Sequence, residues 1–229
     1  MKAVLFDLDG TLLPMDNEIF TKTYFGLLTA ALKPCGYEHD KLIGAVWTGT
    51  KAMVNNDGTA TNEARFWDAF CAVFGEKARD DIPIFDRFYE TDFCKAREVT
   101  GSNPLAKEAV KAAGFAAGKV ILATNPIFPR TAVINRLGWV GLKETDFDFI
   151  TTYETSHYCK PNPLYYIEIA EKAGVSPEDC LMIGNDAHED IEASVSAGMK
   201  AYQVTDCAIG RSDGVSGSFS DMTAYLKGL

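Results

Sequence analysis

The 229-residue chain has no run approaching the ~20 consecutive apolar residues that a membrane helix requires. Its first apolar stretch is short and breaks into Asp-Leu-Asp-Gly, where a secretory signal would need a small-residue cleavage site. A soluble, cytoplasmic protein without a membrane partner is therefore expected. Basic charge is also scarce: 22 Lys and Arg stand against 32 Asp and Glu, for a net charge of -10. Nucleic-acid binding runs on clustered cations that displace counterions, so this balance argues against such a partner and favours metals and small ligands. Only three histidines occur, His39, His157 and His188, and no pair has metal-ligand spacing. The six cysteines (Cys35, Cys71, Cys94, Cys159, Cys180, Cys207) form no CxxC pair and sit mostly in apolar segments, the pattern of small buried hydrophobes. There is no internal repeat and no low-complexity segment.

What is present divides into two regimes. Short runs rich in Val, Ile, Leu and Phe at residues 3–6, 119–123, 147–151, 180–183 and 201–204 read as strands buried on both faces. Helical segments separate the last four, with Pro104, Pro129 and Pro163 at expected first helical positions and Gly114, Gly138, Gly174 and Gly198 at expected stops. Alternation of strand and helix predicts an α/β core with a doubly wound, parallel sheet.

Residues 15–101 carry apolar side chains at helical spacing and no convincing strand, so they read as an all-helical insert after the first strand. The expected division is a core of 1–14 and 102–229 with a helical cap of 15–101. Phe66, Trp67, Phe70 and Phe74 recur at helical intervals and are expected to pack the cap's interior. Lys51, in the Gly- and Asn-rich "TGTKAMVNNDGT", is expected to be solvated, although that stretch is one that could face the cleft.

The first strand ends on Asp7 and Asp9. In an open parallel sheet, ligands bind beyond the carboxyl ends of the strands, near the point where strand order reverses. Two carboxylates there are tolerable only if a cation or a shared proton offsets them, which suggests a hard metal acting on an anionic substrate.

Four segments in order resemble the haloacid dehalogenase superfamily of phosphotransferases and hydrolases: "DLDGTL" from Asp7, "LATN" ending at Asn125, "KPNPLYY" from Lys160 and "IGNDAHEDI" from Ile183. With the insert between the first two, the resemblance covers essentially the whole chain and is closest to the helical-cap subclass of phosphoglycolate phosphatase and beta-phosphoglucomutase. It implies a Rossmann-like core and a magnesium-dependent phosphatase, most simply a monomer, acting on a small phosphorylated metabolite. Asp7 would be the nucleophile that forms an aspartyl-phosphate, and Asp9 the general acid and base. Thr124 and Asn125 would bind the phosphoryl oxygens, Lys160 would add fixed positive charge, and Pro161 would restrain the backbone that presents it. The implied metal ligands are Asp7, Asp9 (through its carbonyl), Asp186 and Asp190.

The acidic motif departs from the family's Gly-Asp start, since Asn185 follows Gly184. Two registers compete. Either Asn185 offers a neutral amide oxygen to the metal, or Asp186 takes that place and Asn185 shapes the turn. The second keeps the anionic oxygen that magnesium prefers, with Asp190 at the ion or behind it, oriented by Lys160. His188 lies in the same loop. Among the family's branches, dehalogenating members lack the second aspartate, so Asp9 speaks for phosphorus chemistry. A phosphonate-cleaving enzyme would need a cap lysine such as Lys51, and a sugar-phosphate mutase would need a cap that retains its intermediate. A binding or regulatory module without turnover is the alternative outside enzymes.

Overall fold

The computed structural model describes residues 1–229. Strand β1 (Ala3–Phe6) is followed by helices α1 (Asn17–Leu32), α2 (His39–Val54), α3 (Asn62–Phe74) and α4 (Ile82–Glu90) and a 3-10 segment, Asp92–Val99. The chain then runs through α5 (Ala106–Ala116), β2 (Lys119–Leu122), α6 (Arg130–Trp139), β3 (Phe149–Ile150), α7 (Pro163–Ala173) and β4 (Cys180–Gly184). A π-helical turn, Ala187–Glu192, leads into α8 (Ala193–Ser196), β5 (Lys200–Val204), β6 (Val215–Gly217) and α9 (Phe219–Lys227). No helix is long and apolar enough to cross a membrane.

All strand pairings are parallel, in the order β3-β2-β1-β4-β5-β6. The fold is thus the doubly wound α/β type, and its strand order reverses at β1, whose Phe6 is in register with Leu122 of β2 and Ile183 of β4. β1, Ala-Val-Leu-Phe, has no exposed residue, as a central strand covered by helices on both faces requires. One apolar cluster packs Val4, Phe6, Leu122, Ile183 and Val204 under α5, α6 and α9; another packs Ala3, Leu5, Ile121 and Met182 under α7 and α8.

The sequence reading needs four corrections here. β6 was not expected, because it is a three-residue edge strand with two exposed residues. Gly114 and Gly138 lie inside α5 and α6, where helix tolerates glycine at a cost of about 1 kcal/mol, whereas Gly174 and Gly198 do take the left-handed stops. Of the three prolines, only Pro163 opens its helix; Pro129 caps α6 and Pro104 precedes α5 by a turn. Cys71, Cys159 and Cys180 are buried, but Cys94 is exposed.

α1 to α4 and the 3-10 segment form the helical cap. It has its own apolar core, including Phe20, Leu28, Trp67, Phe70, Phe85 and Phe93. Ala132 of α6, Tyr153 and Cys159 join that core, so the cap is seated on the sheet domain through apolar contact. The two connections run side by side: Met15 bridges Thr100, and Gly101 N–H donates to Pro14 O at 2.7 Å.

Candidate active site

Parallel topology gathers the carboxyl ends of β1, β2 and β4 at one edge of the sheet, facing the cap. A cavity of about 290 Å³ lies there, lined from the sheet side by Asp7, Asp9, Thr124, Asn125 and the loop after β4. Lys160, from the loop before α7, stands behind it.

Lys160 is 1% exposed. Its Nζ donates to Asp7 Oδ1 at 2.7 Å and to Asp190 Oδ1 at 2.6 Å. Burial works against the ammonium, but the carboxylates of Asp190 and Asp7 outweigh it and hold its pKa well above the ordinary lysine value. Burial pushes Asp190 upward, against the opposing pull of Lys160. The second oxygen of Asp190 accepts from Asp186 N–H at 3.0 Å, so this carboxylate ties the lysine to the β4 loop. Gly184 permits that approach, since a Cβ there would collide with the Asp190 carboxylate.

Asp9 has a different partner. Its Oδ2 accepts from Nη1 of Arg136, which is fully buried and stacked on the Phe128 ring, with its guanidinium carbon 4.5 Å from the centroid. Burial raises the Asp9 pKa, Arg136 opposes this, and Asp7 adds to the rise. The other oxygen, Oδ1, is buried without a partner. Gly10 then turns the chain at φ 85°, and a Cβ at that position would strike the Asn185 side chain.

The β2 loop supplies neutral groups. Thr124 is buried, and its carbonyl accepts from Thr151 Oγ1 at 2.7 Å and Tyr165 OH at 2.8 Å. These bonds fix the backbone while the residue faces the cavity. Asn125 Nδ2 donates to Glu189 Oε2 at 3.2 Å, and its Oδ1 is buried without a partner.

In the β4 loop, Asn185 Oδ1 accepts from the Thr11 hydroxyl at 3.0 Å and Nδ2 donates to Cys207 O at 2.8 Å. Asp186 Oδ1 caps the π-helical turn, accepting from His188 N–H and Glu189 N–H, which leaves Oδ2 without an intrachain bond. Asp7 Oδ2 is likewise uncommitted. Glu189 also lines the cavity, and burial raises its pKa. His188 points outward to Glu192, His157 pairs with Glu168, and His39 is exposed beside Asp40. Lys51 is exposed on α2 and does not line the cavity.

The structure therefore brings Asp7, Asp9, Thr124, Asn125, Asp186 and Asp190 to one cavity, with Lys160 bridging two of them. Sequence reasoning missed Arg136 and Glu189. Arg136 carried a readable signal, a lone cation on the apolar face of α6 beside Ala132, Val133 and Leu137. Glu189 carried none beyond its place in an acidic loop.

The chain is similar in sequence and fold to several known proteins. The chain is 26% identical over 198 residues to a phosphoglycolate phosphatase of Xylella fastidiosa, covering 86% of this chain and 77% of that one. It is 26% identical over 204 residues to the phosphoglycolate phosphatase of Aquifex aeolicus, covering 87% and 83%. A 2-haloacid dehalogenase of Pseudomonas syringae superposes with a TM-score of 0.64 at 19% identity, covering 99% of this chain and 98% of that one, a likeness of fold. The family model of haloacid dehalogenase-like hydrolases matches residues 1–198, and the chain belongs to that family of hydrolases.

Proposed function

We propose that the protein hydrolyses a small phosphomonoester through an aspartyl-phosphate on Asp7, with magnesium as cofactor. The reading rests above all on one observation: at the switch point of the sheet, Asp7 with an uncommitted oxygen and Asp9 with a buried, unpartnered one line the same cavity. The phosphatases among its relatives favour phosphorus chemistry over the carbon chemistry of the dehalogenases.

In this reading Asp7 Oδ2 attacks phosphorus, and the ester P–O bond breaks as Asp9, protonated through Oδ1, delivers its proton to the departing alcohol oxygen. Water then attacks the acyl phosphate. Asp9, now a carboxylate held by Arg136, takes the water proton, and inorganic phosphate and the Asp7 carboxylate are regenerated. The Thr124 hydroxyl and the groups of Asn125 receive the phosphoryl oxygens. Lys160 fixes the Asp7 rotamer by its bond to Oδ1 and leaves Oδ2 free.

The donor set is oxygen only, which suits a small hard cation. Asp186, through its free Oδ2, would hold it together with the Asp9 carbonyl and Asp7 Oδ1, which keeps a second lone pair beside its bond to Lys160. When bound, it neutralises charge between nucleophile and phosphate. Both Asp190 oxygens are engaged, so its proposed part is to position Lys160 and Asp186. Asn185, committed to Thr11 and Cys207, shapes the turn. Residues 15–101 close the cavity as a cap over the core of 1–14 and 102–229, hinged where the two connections run together.

The test is hydrolysis of a panel of sugar, nucleotide, short-chain and aromatic phosphate esters, with magnesium and with EDTA. Turnover that requires the metal is expected. Absence of turnover across the panel would favour the non-catalytic alternative.

A further inference from the structure

The alcohol half of the ester must sit on the cap side of the cavity, and that wall is mostly aromatic and uncharged, with Asn17, Thr21 and Thr50 as its polar members. Tyr24 and Phe25 of α1, Trp47 of α2, Phe66 of α3 and Tyr89 of α4 line it together with Phe128 of the core, whose ring packs edge-on against Tyr24 and Tyr89. The Tyr24 and Tyr89 hydroxyls bond each other at 2.9 Å, so these two phenols turn their polar ends to one another. Burial pushes the Tyr24 pKa up to about 12, which keeps it neutral. Fourteen of the 25 lining residues are hydrophobic, and none is Lys, Arg or His.

The charged groups that do line the cavity are all acidic: Asp7, Asp9, Asp186, Glu189 and Asp190. The cations nearby are engaged or excluded. Lys160 serves Asp7 and Asp190, Arg136 is paired with Asp9 outside the lining, and Lys22 borders an adjoining surface groove beside Glu18. A carboxylate on the leaving group would thus be desolvated among aromatic rings, with no counter-ion in the wall. An aromatic or branched alkyl group would instead exchange water for ring contacts in a cavity near the lower end of the ~300–1,000 Å³ range of ligand pockets.

We infer that the substrate is the phosphomonoester of an uncharged, apolar alcohol of about the bulk of one aromatic ring. Phosphoglycolate, the ester named for several relatives, carries the carboxylate this wall cannot receive. The inference rests on the phosphatase reading above, and names the substrate class of that same site.

The experiment compares kcat/KM for 2-phenylethyl phosphate and phosphoglycolate, two alkyl esters, with p-nitrophenyl phosphate as a generic ester. The expected preference for the phenylethyl ester is about 100-fold, the scale set by pocket discrimination of this kind. A ratio below about tenfold overturns the inference. Hydrolysis of p-nitrophenyl phosphate with phosphoglycolate preferred overturns the substrate class alone, whereas no hydrolysis of any ester removes the phosphatase reading and this inference with it. Trp47 is half exposed at the cavity mouth, so Trp47→Arg should fold and place a guanidinium in the wall. The preference should then fall about fivefold or more, on the order of one favourable charge pair; an unchanged ratio in a folded variant contradicts the assignment.

Discussion

Replacing Lys160 by Met removes the one cation between Asp7 and Asp190 while keeping much of the side-chain volume. The wild-type ammonium makes bonds of 2.7 and 2.6 Å to two carboxylates and is 1% exposed, so no water takes its place at once. Hydrogen bonds to charged groups contribute about 1.5–3 kcal/mol each, and breaking a buried ion pair by removing one partner costs about 3–5 kcal/mol. The two routes agree on a loss of about 3–5 kcal/mol. In a chain of 229 residues, that is roughly 6–20 °C in Tm. Asp190, already pushed up by burial, loses the opposing pull of Lys160, so its folded pKa rises further above the unfolded value near 3.9. A group raised in this way loses stabilisation as pH climbs through the unfolded pKa toward the folded one, and the deficit should be larger at pH 8 than at pH 5. Lys160→Met/Asp190→Asn, which leaves only one stranded carboxylate, should recover about 1–2 kcal/mol. Urea denaturation in EDTA at the two pH values measures all of this. A deficit below about 1 kcal/mol, or one equal at both pH values, would refute the argument that this triad is a tightly coupled buried unit.

Asp9→Asn should lower kcat for an alkyl ester by about 10²–10⁴-fold, with a smaller loss for p-nitrophenyl phosphate, whose leaving group needs little protonation; equal losses on both would remove Asp9 from proton transfer to the alcohol. Asp186→Ala should weaken the magnesium dependence of turnover more than Asn185→Ala does, and the reverse order would exchange their roles. Glu168 accepts from His157 N–H, His157 Nδ1 and Lys172, and although burial pushes the other way, these bonds bring its pKa below the ordinary glutamate value. Its contribution is therefore present above the unfolded pKa near 4.3 and lost as pH falls toward the folded one, so Glu168→Gln should cost about 1–2 kcal/mol at pH 7 and little at pH 3 by thermal melts.

The sheet was legible because a parallel strand covered on both faces must be a continuous apolar run; β1, β4 and all but the first residue of β2 are such runs, and β5 is interrupted only by Gln203 after its exposed first residue. β6 was not, since a short exposed edge strand needs no such run and Val215-Ser-Gly has none. The polar residues gathered at the cavity lay just past strand ends or at a helix start, places that topology converts into proximity. Arg136 was hidden by its helix, whose apolar period drew attention away from the one cation on the buried face. The cavity wall was the least readable part. Phe66 and Trp67 belong to the cap core as their spacing predicts, yet they also border the cavity, and helical periodicity cannot separate a ring that packs from a ring that waits for a ligand.

The covalent step on Asp7 is the centre of the account, and acid quenching within a turnover followed by peptide mapping tests it directly. The expected result is a phosphoryl adduct on the peptide containing Asp7, cleaved by hydroxylamine as an acyl phosphate and missing from Asp7→Asn. Full-rate hydrolysis by Asp7→Asn, or an adduct mapped to another residue, would contradict it.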